Sequence, residues 1–403
     1  MDKSRVLLAF RIPAYRWLWY ASLANANGFM PLMVGQGWLI LTITNSPFMV
    51  GLAPGLGGIA AMISSPIGGV LVDRINRRTV LIVAQSIMAS SVLVLGLLTI
   101  FELIEVWQIL LLSSISGLSR GFGNPARSTL MYDVVGPKAI MNAMAGQMLS
   151  FQFASIFGPL AAGFIMAANG PGPLFLIISG SLYLSIICLF KVPSINPKTK
   201  ASGSLLDNLR QGISTTYGDG RLRTIMTAVF LTETLAFSAT SMFPIIARDV
   251  LFAGPVVLGL LPTFRGIGGV VGAITVSSFG DIKYKGWTMI VANIILGCLL
   301  IIFAFSNNLP VSLFLILLSG ACGTTFSTMA TTLIQTSAPD NMRGRVMGIH
   351  GFIISGLGLG GIFMGTMSSI FGTTWAITSG SAIVISNATR SIPIAKSLRT
   401  TSK

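Results

Sequence analysis

Charge is what this sequence has least of. Only 9% of its 403 residues are charged, 11 of them acidic, and there is one histidine and three cysteines. His350 has no visible triad or metal partner, so it is read as a packing residue. Cys188, Cys298 and Cys322 each lie inside an apolar run without metal-ligand spacing, which is the pattern of inert core or lipid-facing thiols. No Walker loop is present, so ATP is not the drive. The GxSxG, HExxH and CxxC patterns do not occur in any plausible context. These absences argue against an enzyme, a metal centre and a bound cofactor.

What the chain has instead is apolar length. It is 53% hydrophobic with a mean hydropathy of +0.81 and 45 glycines. A soluble domain cannot hide that much apolar surface, whereas small residues suit helices packed closely in lipid. The net charge of +15 would suggest nucleic acid in a soluble protein. Here the basic residues fill short gaps between apolar runs, so the bilayer accounts for them and no nucleic-acid partner is expected.

A helix needs about 20 apolar residues to cross the hydrocarbon. Twelve candidate spans follow, at roughly 17–43, 48–72, 79–101, 107–126, 144–168, 173–190, 224–247, 255–279, 287–305, 309–333, 346–370 and 373–389. The last is short, polar and closely followed by Arg390. The run that opens at Trp17 is too long for a signal-peptide core and lacks a small-residue cleavage site, so no cleavable leader is expected. The longest polar stretch, 192–223, holds Pro193, Pro197, Lys198, Lys200, Arg210, Arg221 and Arg223. Within it, Leu205–Ile213 has the pattern of a short amphipathic helix at the membrane surface.

Orientation follows from the Lys/Arg asymmetry. With the N-terminus inside, 23 of the 26 basic residues fall in cytoplasmic segments, and the outer loops hold only Arg248. Arg120 and Arg265 fall within spans. Both termini are therefore expected in the cytoplasm, which requires an even number of spans.

An internal repeat supports the same plan. Gly51-Leu52-Ala53-Pro54 opens span 2 and is followed 22 residues on by Asp73; Gly259-Leu260-Leu261-Pro262 opens span 8, with Asp281 at the same distance. Pro137 and Gly146 are spaced like Pro339 and Gly348. Six-span repeats related by an axis along the membrane normal are a transporter architecture.

The stretch Gly69-Val70-Leu71-Val72-Asp73-Arg74-Ile75-Asn76-Arg77-Arg78 resembles the signature loop of the major facilitator superfamily. That pattern is Gly, three residues, Asp-Arg, one residue, Gly, then two basic residues. Asn76 stands where the family often has Gly, and Asn tolerates a left-handed backbone better than other side chains. Gln36-Gly37-Trp38 with Leu41-Thr42 and Ser46-Pro47 resembles the branch of enterobactin exporters and macrolide-type efflux proteins. So do Asn124-Pro125-Ala126-Arg127 and the run from Pro339 to Gly348. The likeness covers about residues 10–370.

The resemblance implies an all-α membrane protein of twelve transmembrane helices in two pseudo-symmetric six-helix bundles. The bundles would be 1–191 and 224–403, joined by a cytoplasmic linker at 192–223. It implies a monomeric transporter in the cell membrane that moves a small solute by alternating access. It also implies that Asp73 is a conformational latch against the start of span 11 at Gly344, with Arg77 and Asp133 completing a charge chain. Arg74 and Arg78 double as positive-inside anchors. Gly158-Pro159 followed by Gly163 resembles the Gly-Pro motif of proton-coupled exporters, where Pro bends the helix and Gly permits a close crossing; a generic kink is the plain alternative. Gly356, Gly358, Gly360 and Gly361 look like a dinucleotide fingerprint but follow no strand, so they read as a packing face.

An ionisable side chain inside a span is costly and faces a partner or a cavity. Glu233 lies near the middle of span 7. It is either a proton carrier or the structural partner of Arg265 in span 8. Arg120 resembles the family's buried span-4 arginine. It could attract an anionic solute, modulate an acid, or be a packing charge tied to carbonyls. Candidate cavity residues are Asn25, Gln36, Trp38, Gln152, Glu233 and Phe237, with Asn25 and Gln36 equally suited to interhelical hydrogen bonding. A largely apolar lining favours a lipophilic or aromatic solute, drug-like or siderophore, exported against protons. A lipid flippase and a non-transporting membrane sensor remain as other readings.

Overall fold

The computed structural model describes residues 8–195, 205–280, 284–340, 342–355 and 357–395. Asp281, Lys283, Asn341, Gly356 and the linker residues 196–204 lie outside the described residues. The described chain is helical, with no strand among the described residues. Its elements are α1 (Pro13–Thr44), α2 (Pro47–Arg74), α3 (Arg77–Ile100), α4 (Val106–Asn169), α5 (Pro171–Phe190), α6 (Leu205–Gly218), α7 (Gly220–Val250), α8 (Pro255–Ser278), α9 (Lys285–Ala304), α10 (Leu309–Ser337), α11 (Arg343–Ser355), α12 (Leu357–Phe371) and α13 (Thr373–Arg390). Taking α11 and α12 together, ten stretches among the described residues are long and apolar enough to cross a bilayer, and α13 is not one of them.

The element boundaries follow local chemistry. Proline opens α1, α2, α5 and α8, where its missing N–H leaves no intrahelical bond unmade. Asp219 caps α7 by accepting from the Arg221 and Leu222 amides at 2.7 and 3.3 Å. Asn308 does the same for α10, at the Val311 amide.

The expected loop between spans 4 and 5 is corrected. The structure is helical throughout residues 106–169, and the one break is at Gly136, with φ 68°. Gly136 ends the first arm in the conformation glycine adopts without strain, and Pro137 starts the second. Each arm is about 45–50 Å long at 1.5 Å per residue. Both arms therefore exceed the roughly 30 Å of hydrocarbon and carry helix beyond it. The polar residues at 127–143 looked like loop because they are those protruding turns.

The chain divides into two compact units: Met1–Asn45 with Leu56–Ser202, and Ser46–Gly55 with Gly203–Lys403. The first turns of α2 belong with the second unit because they lie directly on α12. A Cβ at Gly51 would sit 2.2 Å from the Gly361 carbonyl oxygen, so only glycine allows that approach.

In the first unit a core forms around Tyr15, Leu18, Leu81, Leu130 and Leu189. Tyr15 Oη donates to the Ala143 carbonyl and Trp19 Nε1 to the Gly146 carbonyl, both at 2.9 Å, which satisfies the polar tips that buried aromatics carry. In the second unit the core gathers Leu222, Ile225, Met289, Phe326, Leu333 and Val346. Outward-facing side chains such as Ile63, Val83, Phe164, Ile187 and Phe314 are exposed, as a lipid-facing belt requires.

The 208-residue spacing of the sequence repeat recurs in the elements. Pro47 and Pro255 open α2 and α8, and Arg77 and Lys285 open α3 and α9, each pair 208 residues apart. The amphipathic linker helix runs further than its sequence pattern, to Gly218. It docks on α11, where a Cβ at Gly212 would lie 2.8 Å from Ile349 Cδ1 and Arg345 donates to Gln211.

Candidate functional site

The second unit carries its acid in an irregular helix. α7 is α-helical to Leu231, π-helical over Thr232–Ala236, and 3-10 over Phe237–Met242. Pro244 lies beyond and supplies no backbone donor, and small hydroxyl side chains take up local carbonyls instead. Ser238 Oγ donates to the Glu233 carbonyl at 3.2 Å, Thr240 Oγ1 to the Phe237 carbonyl at 2.7 Å, and Ser241 Oγ to the Ser238 carbonyl at 2.6 Å. π-turns within helices are frequent at functional sites. Glu233 sits in this one and is only 6% exposed. Helix α12 closes over it: a Cβ at Gly360 would fall 2.1 Å from the Thr234 carbonyl oxygen.

Arg265, at mid-length in α8, is within electrostatic reach of Glu233 but forms no direct ion pair with it. Its guanidinium lies over the Phe237 ring, 4.8 Å from the centroid, and lines a small cavity with Ala236, Thr240, Leu296 and Ser319. The Phe237 ring also packs at Gly323, where a Cβ would lie 3.1 Å from its Cε1. Three expected site residues, Glu233, Phe237 and Arg265, are thus gathered in one place.

The first unit holds a related arrangement. Arg120 of α4 lies over the ring of Phe29, 4.6 Å from its centroid, near the middle of α1. Phe29 stands 208 residues before Phe237, and Asn25 stands 208 before Glu233. The repeat therefore aligns a polar residue and a phenylalanine four positions apart in α1 with the same pattern in α7. Phe29 was not read as a site residue from sequence, although the repeat spacing already pointed to it.

Asn25, Phe29 and Gln36 fall within about 40° of one another around α1 at 100° per residue. Trp38 is about 200° from Gln36 by the same spacing, so α1 does not present it beside them. Gln152 is half-buried in the second arm of α4. Gly158 and Pro159 are buried, and Gly158 faces Pro31 of α1, where a Cβ would lie 3.0 Å from Pro31 Cδ. Gly163 is buried as well.

At the end of the first unit where α2 gives way to α3, Arg77 pairs with Asp133 of α4, their side chains 14% and 15% exposed. Arg78 donates to the Phe190 carbonyl at 2.9 Å and lies over the Phe190 ring, which ties α3 to the end of α5. Arg74 is exposed, and Asp73 is half-buried, its carboxylate in no hydrogen bond or ion pair among the described residues.

Two details depart from expectation. Asn76 is not left-handed: at φ −55° it is the N-cap of α3, accepting from the Arg78 and Thr79 amides. Its side chain also donates to Ser194 Oγ at 2.5 Å. Asn serves there because it caps, not because it tolerates positive φ. The close-packed glycine is Gly68, whose Cβ would lie 2.7 Å from the Gly121 carbonyl oxygen; a Cβ at Gly69 would meet nothing within 4 Å.

A second repeat-related pair was missed. Gln85 accepts from Ser185 at 2.8 Å, and Asn293, 208 residues later, accepts from Thr232 at 3.1 Å. Both are buried amides that join helices within a unit.

A helical membrane chain with one buried acid among the described residues, arginines at mid-length of their helical arms and a charged turn between its second and third helices is a solute transporter of the major facilitator type. More narrowly, the chain belongs to the transmembrane secretion effector family, whose model matches residues 5–401. It is 24% identical over 364 residues to the multidrug efflux pump Tap of Mycolicibacterium fortuitum, covering 88% of both chains. It is 25% identical over 340 residues to the enterobactin exporter EntS of Citrobacter koseri, covering 84% of this chain and 80% of that one.

Among solved structures, a POT family transporter in complex with 5-aminolevulinic acid matches with TM-score 0.76 at 10% identity, over 95% of this chain and 96% of that one. A bacterial homologue of the human lysosomal transporter Spinster matches with TM-score 0.70 at 13% identity, over 99% and 97%. At these identities the structures speak for the fold alone. The relatives are membrane transporters, not enzymes.

Proposed function

We propose that this chain is a proton-coupled exporter of a small lipophilic or aromatic solute, working by alternating access with Glu233 as the group that exchanges the proton. The observation that carries it is the placement of Glu233. It is buried in a π-turn at half-length of α7, within reach of Arg265 but not neutralised by a direct pair. A fully paired carboxylate would be structural. One held near an arginine without contact can take up and give back a proton as its surroundings change.

Efflux rather than uptake is supported by the relatives, a multidrug efflux pump and an enterobactin exporter, and by the Gly158-Pro159 crossing at Pro31. Twelve crossings are supported by the two long arms of α4, which count as two, and by the even number that the Lys/Arg asymmetry demands. α13 is then the twelfth, with both termini in the cytoplasm. At the cytoplasmic face Asp73 is the latch, its carboxylate unspent within its own unit, and the Arg77–Asp133 pair holds α3 and α4 beside it. The protein is taken to act as a monomer in the cell membrane.

The test is a screen in a host stripped of its own pumps. Cells expressing the chain should gain tolerance to one or more members of a panel of aromatic drugs and siderophores. Everted vesicles should move that solute only while a pH gradient stands. A panel in which nothing is moved, or movement indifferent to collapsing the gradient, removes the proposal.

A further inference from the structure

The two repeat-related clusters differ in one chemical respect. In the second unit, Arg265 over Phe237 has the Glu233 carboxylate within electrostatic reach. In the first unit, Arg120 over Phe29 has no such acid: the position equivalent to Glu233 is the neutral amide Asn25. The acids of the first unit's helices and turns are Asp73, Glu102, Glu105 and Asp133, all at helix ends, far from mid-length of α4's first arm. Among the described residues no ion pair joins Arg120 to a carboxylate.

Nor does a hydrogen bond. Among the described residues the Arg120 guanidinium donates to no protein acceptor, and none of its nitrogens is sealed from its surroundings. Five donors in a fixed fork therefore stand open at half-depth of the membrane. Such a charge is expensive in lipid and is kept only where something answers it. The ring of Phe29 offers a cation a favourable face but accepts none of those N–H groups. Arg127, seven residues on, lies on the same face of α4 about 10.5 Å nearer the cytoplasm. It likewise forms no ion pair among the described residues.

We infer that Arg120, with Phe29 and Asn25, is a docking site for the acidic group of an aromatic anion. The ligand supplies in the first unit the carboxylate that Glu233 supplies in the second. The guanidinium fork takes a carboxylate or similar planar acid in two parallel hydrogen bonds, the Phe29 ring borders the solute's ring, and the Asn25 amide lies one turn away. This deepens the exporter proposal by naming the charge of its solute, and rests on it only for the transport step.

The experiment uses purified full-length protein in detergent and matched probe pairs that differ in charge alone: 1-naphthoate with 1-naphthamide, and two larger aromatic carboxylates with their amides. Binding is read by equilibrium dialysis. In the parent at least one acid should bind about tenfold or more tightly than its amide, the scale of a charge-assisted contact. Arg120→Gln should erase that preference, and Arg120→Lys should keep part of it. If no acid outbinds its amide in the parent, or if Arg120→Gln keeps the preference, the inference is overturned. The parent comparison needs no variant, so misfolding cannot obscure it. If vesicles move no member of either charge, the exporter proposal fails while an acid preference in binding still upholds the docking site. Equal movement of acids and amides would have the opposite consequence.

Discussion

The Arg77–Asp133 pair offers a prediction whose size can be worked from the structure. Exposed ion pairs contribute about 0.2–1 kcal/mol, whereas removing one partner of a buried pair costs about 3–5 kcal/mol. With side chains 14% and 15% exposed, this pair lies close to the buried limit. Arg77 Nε is also buried without a partner, so Asp133 is the neighbour on which its charge depends. Asp133→Asn should therefore cost about 3 kcal/mol. Arg77→Gln should cost less, because the carboxylate left behind lies near the polar end of α4's first arm. The double variant should be no worse than Asp133→Asn alone, so the coupling should be at least as large as the Arg77→Gln loss, within the range of about 0.5–3 kcal/mol for residues in direct contact. The assay is thermal unfolding of the four proteins in one detergent, compared as a cycle of midpoints. Additive losses would mean that the pair is an incidental surface contact, and the account of how α3 and α4 are held together would be wrong.

Two further outcomes follow. Gly360→Val should lower transport sharply while the protein still inserts, because a Cβ there collides with Ser238 Oγ at 2.0 Å and the Thr234 carbonyl at 2.1 Å and overpacking costs about 1–3 kcal/mol; Gly69→Ala, with nothing within 4 Å, should leave the unfolding midpoint unchanged, and equal behaviour of the two would discredit the close packing at the π-turn. Asp73→Asn should slow turnover with little change in solute affinity, measured as initial rates against binding; a normal rate would remove Asp73 from the latch.

Much of the fold was legible because the bilayer demands long apolar helices and places Lys and Arg on one side. The positions of α1 to α3 and α8 to α10 follow from that constraint within a few residues. The region 127–143 was not legible, since a helix that leaves the membrane regains a polar surface and resembles a loop until Gly136 is seen to be its only break. The linker helix had the pattern of an amphipathic segment at the membrane surface, because nothing in its own pattern reveals that Gly212 docks on α11. At the site, Glu233 and Arg265 stood out because charge is rare in a span, while Phe29 was hidden among 24 phenylalanines. Asn76 was noticed for the wrong reason. A one-letter departure from a family pattern does not disclose whether the residue turns the chain or caps a helix, and the hydrogen bonds to Arg78 and Thr79 decide it.

The most direct test concerns Glu233 itself. Proteoliposomes carrying the parent or Glu233→Gln would be given the solute found by the pump-deficient host. Two fluxes would be compared: uphill movement driven by a pH gradient, and one-for-one exchange of labelled for unlabelled solute without a gradient. The parent should perform both. Glu233→Gln should lose the gradient-driven flux and keep the exchange, since the amide preserves the shape of the π-turn but carries no proton. Gradient-driven accumulation at the parental rate in Glu233→Gln would contradict the account.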